Sequence, residues 1–167
     1  MTAEDNKIIM QGIMDELSRG NGKPFVEAMD DDFSWTLPGR NAWSGTYSGK
    51  REVRERLLTP LFAQFATKYC NTARRILVDG DFVVVECQGA VTTKTGKAYD
   101  NSYCYVIRFE GGKMKHLNEY MDTSLVEEAL EAPDRASAAK SRPQAPIFAY
   151  RGAGGSIGPQ RAYHSLV

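Results

Sequence analysis

At 167 residues the chain is long enough for one domain with an appendage. Hydrophobic residues make up 42% and charged residues 25%, an ordinary globular balance, and 21 Lys and Arg against 21 Asp and Glu leave no net charge. That neutrality argues against a nucleic-acid or anionic-membrane partner, and no apolar run approaches the roughly 18 residues of a membrane helix.

The N-terminus, with Glu4 and Asp5, does not suit a signal peptide. Ile9, Ile13 and Leu17 fall four apart, with Met10 and Met14 beside them, which predicts a helix over 4–18 ended by Gly20-Asn21-Gly22. A second helix starts near Pro24 and carries Phe25, Val26 and Met29 inward. Asp30-Asp31-Asp32 reads as a solvated turn. Phe33, Trp35 and Leu37 alternate as a strand stopped by Pro38-Gly39, and residues 39–47 read as a loop holding Trp43 and Tyr47. A third helix starts at Ser48 or Gly49. Val53, Leu57, Leu61 and Phe65 recur at i+4, and Pro60 should kink or break it.

Ile76-Leu77-Val78 and Phe82-Val83-Val84-Val85 flank an Asp79-Gly80 turn signal, and the second strand runs toward Thr92 and turns at Thr95-Gly96. A two-residue turn there places Gln88 opposite Tyr103, Glu86 opposite Tyr105, Ala90 opposite Asn101 and Cys87 opposite Cys104. A slip of one residue would send Glu86 and Gln88 outward. Tyr103, Tyr105, Ile107 and Phe109 recur every second residue, and Glu110-Gly111-Gly112 reads as a three-residue turn. That turn places Tyr105 opposite Leu117, Tyr103 opposite Glu119 and Asn101 opposite Met121. Asp122 or Thr123 then caps a last helix whose buried stripe is Leu125, Val126, Ala129 and Leu130.

Glu119 is the most informative residue, because a carboxylate on a mostly apolar strand face is costly to bury. Residues 1–131 contain every element of the domain. Residues 132–167 form a C-terminal extension, linker-like at first, in which Ile147-Phe148-Ala149-Tyr150 would dock as a short strand. Gly152 to Gly158 lacks the strand and helix that a phosphate loop needs. Cys70, Cys87 and Cys104 are an odd set without CxxC spacing, which suits reduced thiols in the cytoplasm. Two histidines, His116 and His164, do not suffice for a catalytic metal cluster, so no metal is expected.

Asp-Asp-Phe-Ser-Trp at 31–35, Leu-Pro-Gly at 37–39, Gly45-Thr-Tyr-Ser-Gly49, Thr95 to Tyr103 and Gly112-Lys113 followed by Glu119-Tyr-Met-Asp122 occur in an order that resembles the SnoaL-like branch of the NTF2-like superfamily. Its members include ketosteroid isomerases, limonene epoxide hydrolases and polyketide cyclases. The resemblance covers residues 5–130 and implies an α+β cone, a curved antiparallel sheet wrapped around a long helix with a deep apolar pocket. It also implies a homodimer packed through the outer sheet face, where Tyr120, His116 and Asn118 would lie. The ketosteroid isomerase set does not carry over. The first helix has no Tyr, Leu37 stands where an Asp precedes the Pro-Gly, and Tyr105 falls at the second acid. The epoxide hydrolases' Asp-Arg-Asp set lacks its Arg. Polyketide-cyclase-like members, with a single strand acid as base, resemble the chain better.

Three functions stay open. In an enzyme, Glu119 would be a general base, Tyr103 and Asn101 would donate to a developing enolate or alkoxide, and Gln88 would orient the substrate. Trp35, Trp43, Phe62, Phe65, Leu117 and Met121 would wall the pocket. The substrate would be small, hydrophobic and carbonyl- or epoxide-bearing, and no cofactor is expected. Alternatively the same pocket sequesters a hydrophobic ligand, or the domain is a protein-interaction scaffold. Tyr105 reads as core and Asp122 as a cap.

Overall fold

The structure is a computed structural model that describes residues 1–133. Helix α1 (Ala3–Ser18) starts at a reciprocal cap. Thr2 Oγ1 accepts the Asp5 N–H at 3.2 Å and Asp5 Oδ2 accepts the Thr2 N–H at 2.7 Å. Its stripe of Met10, Ile13, Met14 and Leu17 is buried, and the helix packs on the strand at the far edge of the sheet. Helix α2 (Lys23–Ala28) has Pro24 in its first turn and buries Phe25.

Strand β1 (Met29–Leu37) begins earlier than expected and includes Asp30, Asp31 and Asp32. The acidic triplet is therefore strand, not turn. A register irregularity between Met29 and Ser34 absorbs it, and Lys115 Nζ lies 3.3 Å from Asp30 and 2.7 Å from Asp32. The loop expected over 39–47 contains strand β2 (Gly45–Ser48), paired antiparallel to β1 with Tyr47 beside Trp35.

The third helical run is one path in three parts. They are α3 (Lys50–Glu52), a π-helical turn (Val53–Leu58) and α4 (Thr59–Phe62). Pro60 has no N–H to give to the turn before it. The widened turn just upstream, where the Thr59 N–H reaches back to the Arg54 carbonyl, takes up that disruption without a break.

Strands β3 (Cys70–Asp79), β4 (Phe82–Ala90), β5 (Ser102–Glu110) and β6 (Lys113–Met121) complete a curved, open six-stranded sheet in the order β2-β1-β6-β5-β4-β3. One pairing departs from the expected antiparallel sheet: β1 runs parallel to β6, with Trp35 beside Leu117. Four other strands and the whole helical run separate these two strands in the chain, so no hairpin dictates antiparallel pairing. Phe33, Ile107, Phe109, Met114 and Leu117 are fully buried at the centre. Helix α5 (Thr123–Ala129) is capped by Asp122, whose Oδ1 accepts the Ser124 and Leu125 N–H groups, and it buries Val126 and Ala129.

Both hairpin registers differ from expectation, with unequal consequences. The β5–β6 turn has two residues, Gly111 and Gly112, with φ of 56° and 79°. Two consecutive positive φ values are what the tight hairpin turn matching strand twist requires. Glu110 therefore pairs Lys113, and a bulge follows at Lys115 because Phe109 pairs Met114 while Arg108 pairs His116. The result is a shift of two, so Tyr105 faces Glu119 and Tyr103 faces Met121. The β4–β5 register is shifted by one. Cys87 faces Tyr103, Gln88 faces Ser102 and Glu86 faces Cys104. Cys87 and Cys104 thus sit on opposite faces, contrary to the expected pair. The segment 147–150 and the Gly152–Gly158 stretch lie outside the described residues.

Candidate functional site

Glu119 projects from the inner face of β6 and is 7% exposed. Trp35, held by the Phe25 ring 5.5 Å away, donates from Nε1 to Glu119 Oε2 at 2.6 Å. Burial pushes the carboxyl from 4.5 up to about 7; the Trp35 hydrogen bond opposes the shift without cancelling it. Oε2 is occupied by the indole, which leaves Oε1 for the cavity that Glu119 lines.

Around this carboxyl stand four phenols, Tyr69, Tyr99, Tyr103 and Tyr105, all lining the same cavity. Burial raises each above its ordinary value, Tyr99 to about 12, so all four are hydroxyl donors near neutrality. Asn71, wholly buried on β3, donates from Nδ2 to Tyr69 Oη at 3.1 Å and to Tyr105 Oη at 2.9 Å. Gly89 on β4 makes room for the group. A Cβ there would lie 2.9 Å from Tyr103 Cε2 and 3.1 Å from Tyr69 Oη.

The opposite wall comes from the helical run, through Leu57, Leu58, Leu61 and Phe62, with Phe65 following. Phe65 stacks on Tyr69 at 5.8 Å and on Tyr99 at 6.2 Å, and Phe62, 46% exposed, stands at the rim. Val126 and Leu130 close a third side. The chain is fastened there by Glu131, whose carbonyl accepts from Trp43 Nε1 at 3.1 Å and from Gln64 Nε2 at 3.0 Å, while its N–H donates to Gln64 Oε1 at 2.8 Å. The cavity, open at the Phe62 rim, is about 60 Å³. Room for a few waters is therefore present, well short of the roughly 300–1,000 Å³ typical of sites for drug-sized ligands.

The structure brings Glu119, Tyr103, Trp35, Trp43, Phe62 and Phe65 to this cavity, and Met121 with them. It does not bring Asn101, Gln88 or Leu117. Asn101 is wholly buried, but its amide is spent on the backbone. Nδ2 donates to the Asp122 carbonyl at 2.9 Å and Oδ1 accepts the Asp122 N–H at 3.0 Å. It fastens the start of β5 to the β6–α5 junction, and the second N–H of its amide is directed at Tyr99 rather than at the cavity. Gln88 points outward because of the one-residue register shift, and it accepts from Arg74 at 3.0 Å and Ser102 at 2.8 Å. Glu86 is outward too, 3.5 Å from Arg75. Leu117 is fully buried behind the cavity, between Trp35 and Ile107 on the neighbouring strands.

Sequence reasoning missed Tyr69, Asn71 and Tyr99 and placed Tyr105 in the core only. The signal that would have found the first two is the alternation Tyr69, Asn71, Ala73, which the arginines that follow obscure. Among the described residues no three His, Cys, Asp or Glu side chains gather in a metal-binding group, and no helix is long and apolar enough to cross a membrane.

Comparison with known proteins agrees with this architecture. An NTF2-like protein of Burkholderia pseudomallei K96243 superposes with a TM-score of 0.65 at 20% identity, over 77% of this chain and 98% of that one. TerC, co-crystallized with polyporic acid, gives 0.63 at 20% identity over 74% and 95%. An LEH-like epoxide hydrolase of M. tuberculosis gives 0.59 at 17% identity over 75% and 89%. At such identities the likeness is one of fold. No curated protein matches the sequence. The profile of the SnoaL-like domain matches residues 10–117, the stretch that runs from α1 through the helical run to β6, and so the chain belongs to the SnoaL-like domain family.

Proposed function

We propose that the chain is a small enzyme that moves a proton on a small hydrophobic carbonyl compound, with Glu119 as general base. The observation that carries this reading is a buried carboxylate with one fixed N–H partner, facing a cavity otherwise ringed by phenol donors and apolar walls. A base whose pKa sits near neutrality is both ionised often enough and basic enough to accept a proton from carbon. Glu119 Oε1 takes the proton next to the carbonyl. The C–H pair becomes the C=C π bond, and the carbonyl π pair moves onto oxygen. Negative charge thereby leaves Glu119 and appears on the substrate oxygen, where Tyr69, Tyr103 or Tyr105 donates to it in a water-poor site. Returning the proton to a different carbon completes an isomerisation. The same enolate serves cyclisation or dehydration, and with an epoxide the base would act on water.

The test is hydrogen–deuterium exchange at the carbon beside the carbonyl of small cyclic ketones in D₂O, followed by NMR. Wild type should accelerate exchange, and Glu119→Gln should lower the rate by about 10²–10⁴-fold. Equal rates for the two proteins would remove Glu119 as the base. The small cavity favours a second reading, an NTF2-like scaffold with a filled pocket; saturable uptake of small ketones would exclude it.

A further inference from the structure

We infer that Asn71 is a positioning residue that sets the direction of hydrogen-bond donation in the tyrosine cluster, so that the cavity presents donors to an acceptor oxygen of the ligand, a carbonyl or an enolate-like anion. A phenol carries one proton and accepts at its oxygen. Asn71 Nδ2 supplies one hydrogen to Tyr69 at 3.1 Å and one to Tyr105 at 2.9 Å. Each phenol oxygen therefore accepts from behind and neither can spend its own proton on Asn71; Tyr105 in turn donates to Tyr69, so donation is passed along the pair toward the cavity. Tyr69 leads into β3 and Tyr105 lies on β5, two strands away; beside their own mutual hydrogen bond, Asn71 is the common donor that fixes both oxygens as acceptors. Both line the cavity, and Asn71 does not.

The price of the arrangement is visible: Asn71 Oδ1 is buried with no donor. Turning the amide over would place Oδ1 against both phenols, consume their protons and strand a buried NH₂ instead. Stranded buried N–H groups are rarer in proteins than under-satisfied carbonyls, which favours the donating orientation. Tyr105 and Tyr69 are also held protonated by burial, so neither supplies its own negative charge to the site.

This inference rests on the reading of the cavity as a carbonyl site, and it is tested without relying on Glu119. In the Glu119→Gln protein no carboxylate charge faces the cavity and no base is present, so turnover is irrelevant to the result. The probe is 4-nitrophenol, whose anion is yellow and whose neutral form is not. Glu119→Gln should bind the anion in preference and lower the probe's apparent pKa. Adding Asn71→Asp places an acceptor behind the phenols and should weaken anion binding by roughly tenfold to a hundredfold, the range for a hydrogen bond to a charged group. Asn71→Leu should weaken it less. If Asn71→Asp does not fold, Tyr69→Phe and Tyr105→Phe, which delete the donors and leave Asn71 in place, should each reduce the anion preference. The inference is overturned if Glu119→Gln shows no preference for the anion, or if the Asn71 or Tyr variants bind it as tightly as Glu119→Gln alone. Ketone exchange retained in Glu119→Gln beside a clear anion preference would remove Glu119 as base and leave this inference standing, whereas loss of exchange without that preference would do the reverse.

Discussion

Trp35 Nε1 donates to Glu119 Oε2 at 2.6 Å across the parallel β1–β6 pair. The donor stabilises the charged carboxylate against a burial that favours the neutral acid. Trp35→Phe keeps most of the ring and removes the N–H. The Glu119 midpoint should then rise above its present value of about 7. In a pH–rate profile for ketone exchange, the limb that reports ionised base should move to higher pH, and NMR titration of the side-chain carboxyl should move with it.

Glu119 also makes stability depend on pH. Its folded midpoint lies above its ordinary value of 4.5, so the unfolded chain releases this proton first as pH rises. Folding is penalised progressively between 4.5 and about 7, and the penalty is complete above that window. At 1.36 kcal/mol per pH unit the whole effect is on the order of 3 kcal/mol. Glu119→Gln lacks this penalty. Paired denaturation curves should show wild type losing ground to Glu119→Gln as pH rises through the window, with parallel behaviour above it. A constant difference at every pH would rule out the perturbed carboxyl.

Gly89→Ala tests the packing beneath the phenols. In an ordinary strand the replacement would stabilise, because glycine loses the most backbone entropy on folding. Here the new methyl would lie 2.9 Å from Tyr103 and 3.1 Å from Tyr69. Overpacking should win, with a loss of about 1–3 kcal/mol read from chemical denaturation, and the exchange rate should fall as the hydroxyls shift.

The thiols should separate by face. Cys87 is buried on the inner side and its pKa is pushed up to about 12, chiefly by burial. Cys70 and Cys104 are half-buried. A thiol reagent should modify Cys70 and Cys104 in the native protein and reach Cys87 only on unfolding, as peptide mass mapping would reveal.

Parity decides which parts of the site were legible in the sequence. The β5–β6 register differs from expectation by two residues, which changes every partner but no face, so Glu119, Tyr103 and Met121 still reach the cavity. The β4–β5 register differs by one, which exchanges faces, so Gln88 and Glu86 leave and Cys87 enters the interior. Hydrophobic alternation locates faces well when a strand is dominated by large apolar residues, as β5 is. Strand β3 reads Cys-Asn-Thr-Ala-Arg-Arg at its start, and its contribution, Asn71 with Tyr69 before it, carries no apolar rhythm. Asn101 was legible as buried but not as spent, since only the fold brings the Asp122 backbone to both ends of its amide.

The widened turn at Val53–Leu58 acts as a phase shifter. A helix advances about 100° per residue, so one residue accommodated as extra turns everything after it by that angle relative to what precedes it. Val53, at the start of the turn, is set into the core, and Leu61 and Phe62, beyond its end, are set toward the cavity. Deleting a single residue between 53 and 58 would leave the composition almost unchanged and rotate that apolar edge toward solvent. The identity of the wall is thus encoded in residue count as much as in residue type.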